Sequence, residues 1–213
     1  MADNYVVTIG RQYGSGGRLI GRKIADALGF SFYDKELITV AAKRSGINEK
    51  IFESVDEHPT NSLLYSLAMG TYNFESAYIP FGNMSIPLSE QVFQMQSSLI
   101  AEFADKEPCV FVGRCADYVL RDNPRCINIF IKAEPAVRAE RLIKYYDVEP
   151  AKVKDVIRKA DKMRANYYKS RTGRAWASLD TYDLCIDSGK LGVDKTSEIL
   201  LDYIKARMHA MQG

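Results

Sequence analysis

Residues 6–34 read VVTIGRQYGSGGRLIGRKIADALGFSFYD, and the order of elements within them decides the fold. Tyr5-Val6-Val7-Thr8-Ile9 is a short apolar, β-branched run that suits a buried strand, and it ends at Gly10. A loop containing Gly14, Ser15, Gly16, Gly17 and Arg18 follows. Ile20, Ile24, Ala27 and Leu28 then recur at i, i+4, i+7 and i+8, one face of an α-helix, which Gly29 stops. Phe30-Ser31-Phe32-Tyr33 reads as a second strand ending at Asp34. The chain therefore opens strand, glycine loop, helix, strand.

The same alternation continues. Glu36 to Arg44, Asn48 to Val55 and Ser89 to Phe103 have helical patterns. Between them, Gly70 to Pro87 sets Tyr72, Phe74, Tyr78 and Phe81 among glycines and prolines and reads as a loop. Such a loop covers a ligand, packs on its own core or meets a second subunit, so a homodimer stays open. Cys109-Val110-Phe111-Val112 is a continuous apolar run of the kind buried in a parallel sheet, and it ends in Gly113-Arg114. Ile127 to Ile131 and Leu184-Cys185-Ile186 are further strands. Pro135 suits the first position of a helix continued by Val137, Leu142, Ile143 and Tyr146. Pro150 is expected to open a long helix through Val153, Val156, Ile157, Ala160 and Met163, and Ile199, Leu200, Tyr203 and Ile204 mark a closing one. Strands alternating with helices imply an α/β protein, a parallel sheet flanked by helices in three layers.

Composition narrows the function classes. The 213 residues are 46% hydrophobic and 26% charged, which excludes a disordered or collagen-like chain. No apolar run approaches the roughly 18 to 20 residues of a spanning helix, so no membrane association is expected. The opening MADNYVVTIGRQ does not read as a secretory signal, and a cytoplasmic protein is expected. The 29 basic and 27 acidic residues leave a net charge of +2, against a nucleic-acid partner. Cys109, Cys115, Cys126 and Cys185 form no Cys-x-x-Cys pair and the histidines are His58 and His209, so buried thiols are expected and no metal centre.

The first loop carries the chemistry. Glycines let backbone N–H groups turn inward around phosphate oxygens, and the start of the following helix adds partial positive charge. Gly14, Gly16 and Gly17 supply that backbone and Ser15 a hydroxyl. The regular phosphate loop is G-x-x-x-x-G-K-[ST]. Here no lysine follows the glycines, and neither Arg18 nor Leu19 is a serine or threonine. Arg18 is the nearest substitute for the lysine charge, though its planar fork differs in reach. A dinucleotide site is the competing use: Gly14-x-Gly16-x-x-Leu19 lacks the third glycine of G-x-G-x-x-G, while Asp34 supplies an acid closing the second strand.

Several blocks together resemble one family. The opening segment, with its R-x-Y-G-S-G-G-R loop, resembles cytidylate kinases, most closely the cytidylate kinase-like branch. VFVGRCADYVL (Val110 to Leu120) resembles the Gly-Arg strand end of nucleoside monophosphate kinases, and AEPAVRAER (Ala133 to Arg141) their following helix. ADKMRANYYKSRTGRAWASLDTYDLCIDS (Ala160 to Ser188) resembles their arginine-bearing lid and the strand after it.

The resemblance implies a P-loop NTPase-like core over 1–34, 106–150 and 180–213, a helical acceptor-binding region over 35–105 and a lid over about 151–179. It implies that Gly14, Ser15, Gly16, Gly17 and Arg18 hold the phosphates of ATP, with Mg2+ carried by the nucleotide. It implies acceptor contacts from Asp34, Arg114, Arg138 and Arg141. Arg164 and Arg171, seven apart and so on one helical face, are the implied lid arginines, with Arg174 in reserve. Trp176 and Tyr167-Tyr168 flank them, as packing residues before stacking ones. Such a protein needs no nucleophile. Two phosphates must be brought in line and their developing charge neutralised, which suits arginine.

Two features depart from the family. Asp34 is followed by Lys35-Glu36-Leu37-Ile38-Thr39-Val40 where the family has Asp-Ser-Gly and an arginine, and Thr60 to Pro87 shows no pattern for a cytosine base. The expected function is a nucleotide kinase moving the γ-phosphoryl of ATP to a nucleoside monophosphate, CMP or dCMP. The alternatives are a nucleotide-binding sensor without turnover and a kinase of a non-nucleotide acceptor.

Overall fold

A computed structural model describes residues 4–34, 36–45 and 87–212. The helix expected at 48–55 and the aromatic loop expected from Gly70 onward lie outside the described residues, as does Lys35. The sheet is built around β1 (Val6–Arg11). β3 (Cys109–Val112) pairs on one side of it and β4 (Cys126–Lys132) on the other, both parallel. β2 (Ser31–Tyr33) and β5 (Leu184–Asp187) extend the sheet to the order β2-β3-β1-β4-β5, parallel throughout. The helices are α1 (Gly17–Leu28), α2 (Glu36–Ser45), α3 (Leu88–Lys106), α4 (Ala116–Val119), α5 (Pro135–Tyr146), α6 (Val153–Thr172) and α7 (Ser188–Ala210).

Side chains alternate faces along each strand and so feed two separate cores. Val6, Cys109 and Phe111 point to one face and bury Leu37 and Ala41 of α2 and Val92, Leu99 and Ile100 of α3. Val7, Ile9, Val110, Ile127 and Ile129 point to the other and bury Ile20 and Ile24 of α1 and Leu200 and Ile204 of α7. Both faces are covered, which is why these strands read as unbroken apolar runs.

Some boundaries differ from the sequence reading. β1 continues two residues past Ile9 because the seven-residue β4 offers Gly10 and Arg11 the partners Phe130 and Ile131. Pro150 lies in a turn and α6 begins at Val153. Gly192, at φ 75° and ψ 169°, interrupts α7 near its start. Among the described residues no helix is long and apolar enough to cross a membrane. All four cysteines are free thiols, three of them buried, and burial pushes the Cys109 thiol up to about 12.

Candidate active site

β1 sends its chain on to β2 at one end of the sheet order, while β4 and β5 are added on the opposite side of β1. That reversal leaves a crevice beyond the C-terminal end of β1, where open α/β sheets bind ligands. The glycine loop leaves that end of β1, and Gly10 and Arg11 line the crevice. Gly14 (φ 77°) and Gly16 (φ 80°) are both left-handed, which a side chain would oppose, and Gly16 caps the start of α1.

The loop is fastened from outside. The Tyr13 N–H donates to Asp161 of α6 (2.8 Å), and Arg138 of α5 donates to the same carboxylate (2.5 Å) and to the Tyr13 carbonyl (3.3 Å). The Arg138 backbone and Cβ also crowd Gly14, whose own β-carbon would lie 3.1 Å from them. Arg141 donates to the Ser15 carbonyl (2.8 Å) and to the Ser188 carbonyl (2.8 Å), and the Ser188 hydroxyl, fully buried, donates to that same Ser15 carbonyl (2.5 Å). Arg138 and Arg141 thus stand against the glycine loop, and neither lines the crevice beside Arg114.

Asp34, at the end of β2, takes Arg18 Nε on one oxygen (2.5 Å) and Arg114 Nη1 on the other (3.1 Å). The Arg114 and Asp34 side chains are only 2% and 7% exposed, whereas Arg18 is 56% exposed. The carboxylate therefore joins the first turn of α1 to the Gly-Arg end of β3. Gly113, Arg114 and Cys115 are all at positive φ (78°, 54° and 56°). Two consecutive left-handed residues with side chains are costly, and such strain collects at functional sites.

The two arginines expected in a lid divide. Arg164 donates to the Arg11 carbonyl (3.4 Å) and sits 5.4 Å from the Tyr13 ring, so it faces the glycine loop. Arg171, on the same helix, pairs with Glu90 of α3 and lies over Phe93 and Tyr167. Arg174 lies over Tyr118. Trp176 packs edge-on against Phe130, centroids 5.4 Å apart.

Two residues go beyond the sequence reading. Asp117 of α4 lines the crevice with Arg114, Arg164 and Trp176, and accepts a hydrogen bond from Tyr168 (2.6 Å). Burial raises its carboxyl above the ordinary aspartate range, and the Tyr168 bond only partly offsets this. The available signal was its place three residues after the Gly-Arg pair. Arg11 is the second: its side chain packs across Gly17, where an added β-carbon would meet Arg11 Cβ at 2.6 Å. The space left in the crevice is about 20 Å³, room for a water molecule rather than a nucleotide. A wider, open hollow of about 490 Å³ lies between α1 and α7, lined by Lys23, Asp26, Asp194 and Glu198, at the far end of α1 from the loop.

The loop fits phosphate. Gly14 and Gly16 turn the loop through left-handed backbone, and the Ser15 hydroxyl is fully buried with no partner among the described residues. Arg18 stands where a regular loop has its magnesium-binding hydroxyl. Among the described residues no three His, Cys, Asp or Glu side chains cluster to hold a metal.

A family model described as the cytidylate kinase-like family matches residues 6–190. A cytidylate kinase of Methanopyrus kandleri is 24% identical over 204 residues, spanning 92% of this chain and 90% of that one. The crystal structure of an uncharacterized protein from Eubacterium ventriosum superposes with a TM-score of 0.69 at 26% identity, over 95% of this chain and 99% of that one. A shikimate kinase from Bacteroides thetaiotaomicron shares the fold, with a TM-score of 0.54 at 14% identity over 94% of this chain and 98% of its own.

Proposed function

The chain belongs to the cytidylate kinase-like family, and on that premise we propose that it transfers the γ-phosphoryl group of ATP to a nucleoside monophosphate, CMP or dCMP first. One observation carries the reading. A glycine loop with a buried, unpartnered Ser15 hydroxyl follows β1 at the same end of the sheet as a buried arginine held on Asp34. The Gly14, Gly16 and Gly17 amides and the Ser15 hydroxyl take the ATP phosphates, the Ser15 amide being held by the Gln12 carbonyl (3.2 Å). Arg114, oriented by Asp34, takes the acceptor phosphate, with Arg18 on the other arm of the same carboxylate. Arg164 approaches from α6, and Arg171 fixes that helix to α3 through Glu90. Arg138 and Arg141 serve the site by holding the loop. Mg2+ bound to the nucleotide would neutralise phosphate charge.

The crevice is too small for a nucleotide as it stands, so an acceptor enters as α6 and Trp176 swing outward. Closing again excludes water, which competes for the phosphoryl group. Asp117 supports a second reading. A carboxylate beside Arg114 in so small a space suits a small hydroxylated acceptor whose proton it takes. ADP release measured with CMP, dCMP, UMP, AMP and a panel of small polyols separates the two. Turnover is expected with CMP or dCMP. Turnover confined to polyols transfers the claim to the second reading, and no acceptor-dependent release from any of them removes both.

A further inference from the structure

We propose that Arg11, at the end of β1, supplies the cation that a regular phosphate loop takes from its lysine. The proposal rests on the ATP-dependent reading above. In G-x-x-x-x-G-K-[ST] the second glycine directly precedes the lysine at the start of the helix. In this chain Gly16 caps α1 and Gly17 is its first residue, so Gly17 stands in the lysine's place and Arg18 in that of the serine or threonine. Counting five back from Gly16 reaches Arg11, where the pattern has its first glycine. The two positions have exchanged: the side chain missing at 17 is present at 11.

The exchange is spatial as well as sequential. A β-carbon on Gly17 would fall 2.6 Å from Cβ of Arg11, closer than carbons approach, and 3.1 Å from its Cγ. The stem of Arg11 therefore runs through the volume from which a lysine stem at 17 would start, and either side chain excludes the other. Arg11 also lines the crevice together with Arg114 and Arg164. The buried, unpartnered Ser15 hydroxyl lies 3.6 Å from the same point, on the loop side. Arg18 is directed elsewhere, with its Nε on Asp34. In the transfer, an acceptor oxygen bonds to the γ-phosphorus as the bond from that phosphorus to the β–γ bridging oxygen breaks. The electron pair remains on the bridging oxygen, and Arg11 neutralises the charge that gathers on the departing ADP.

The test compares wild type with Arg11→Met, Arg11→Lys and the double variant Arg11→Gly/Gly17→Lys. MgATP binding is read by calorimetry, turnover by ADP release, and folding by thermal melts. Methionine keeps a stem over Gly17 and removes the charge, so Arg11→Met should stay folded yet lose about 10²- to 10³-fold in kcat, the loss typical of one charge-stabilising donor. Arg11→Lys should regain part of that loss. The double variant, in which glycine at 11 clears the 2.6 Å contact, should exceed Arg11→Met at least about tenfold, because it restores the regular pattern. A folded Arg11→Met within about threefold of wild-type kcat overturns the proposal and leaves the kinase reading standing. A wild-type protein that neither binds MgATP nor releases ADP with any acceptor ends that reading, and this proposal with it.

Discussion

Asp34 holds two guanidiniums of unequal burial, and the inequality sets what each is worth. Arg114 is 2% exposed, so taking its countercharge away strands a cation in the protein interior. Asp34→Asn should therefore destabilise the fold by about 3–5 kcal/mol. Arg18 at 56% exposure keeps its water, and Arg18→Ala should cost about 0–1 kcal/mol. Urea unfolding of both variants checks the ranking, and equal losses would contradict it.

Asp117 makes the opposite prediction. Its folded-state carboxyl is raised by burial, so the native state keeps a proton that the unfolded chain has already released. Stability falls as pH rises from the ordinary aspartate value through the raised one, and the cost stays in full above it. Asp117→Asn retains an oxygen for the Tyr168 hydroxyl and removes that cost. The variant should melt above wild type at about pH 7 and converge with it near pH 4. A variant less stable at both pH values would show that the charge is satisfied in the fold. The Gly-x-x-x-x-Gly count that singles out Arg11 was present in the sequence all along. The sequence offers Arg18 as the nearer substitute for the lysine charge, and only the folded loop brings Arg11 Cβ to within 2.6 Å of a β-carbon at 17.

At the scale of elements, α1 is positioned by close approach rather than by bulk. Gly21 faces the sheet, and a β-carbon there would lie 2.9 Å from Ile9 Cδ1 and 3.3 Å from Phe32 and Val112. Gly21→Ala gains about 0.5–1 kcal/mol of helix propensity. Against that stands overpacking of a filled core at about 1–3 kcal/mol. Overpacking should win, lowering stability by about 1 kcal/mol and pushing α1, with the loop it caps, away from β1. A thermal melt reads the first effect and MgATP affinity the second. A stabilised variant would mean that Ile9 rotates away freely. α6 connects to the site at two places along its length, through Asp161 and Arg164 to the loop and through Arg171 to α3. The seven-residue spacing placed Arg164 and Arg171 on one face of a helix, as they are. It did not show that the two meet different partners, because a face is local and the partners come from β1, the loop and α3.

For the whole molecule, the crevice exists because the parallel strands reverse their direction of addition at β1. A ligand bound there touches the folded state alone and must stabilise it by mass action. At a concentration 100 times its dissociation constant the gain is about 2.7 kcal/mol. For a chain of this length that corresponds to a rise of about 5–10 °C in Tm. MgATP should produce it, and no shift at millimolar MgATP would argue against nucleotide binding.

The alternating apolar runs, the glycine loop and the arginine blocks settled an α/β core and its family resemblance from the sequence alone. Those signals are local: periodicity and turn chemistry depend on neighbours along the chain. Which charges share a carboxylate, and which arginines hold the loop rather than face the crevice, depended on residues up to 126 positions apart meeting in space. No pattern in the sequence encodes those distances. They arise when the strand order brings β2, β3 and α5 around the end of β1, and only the folded chain decides them.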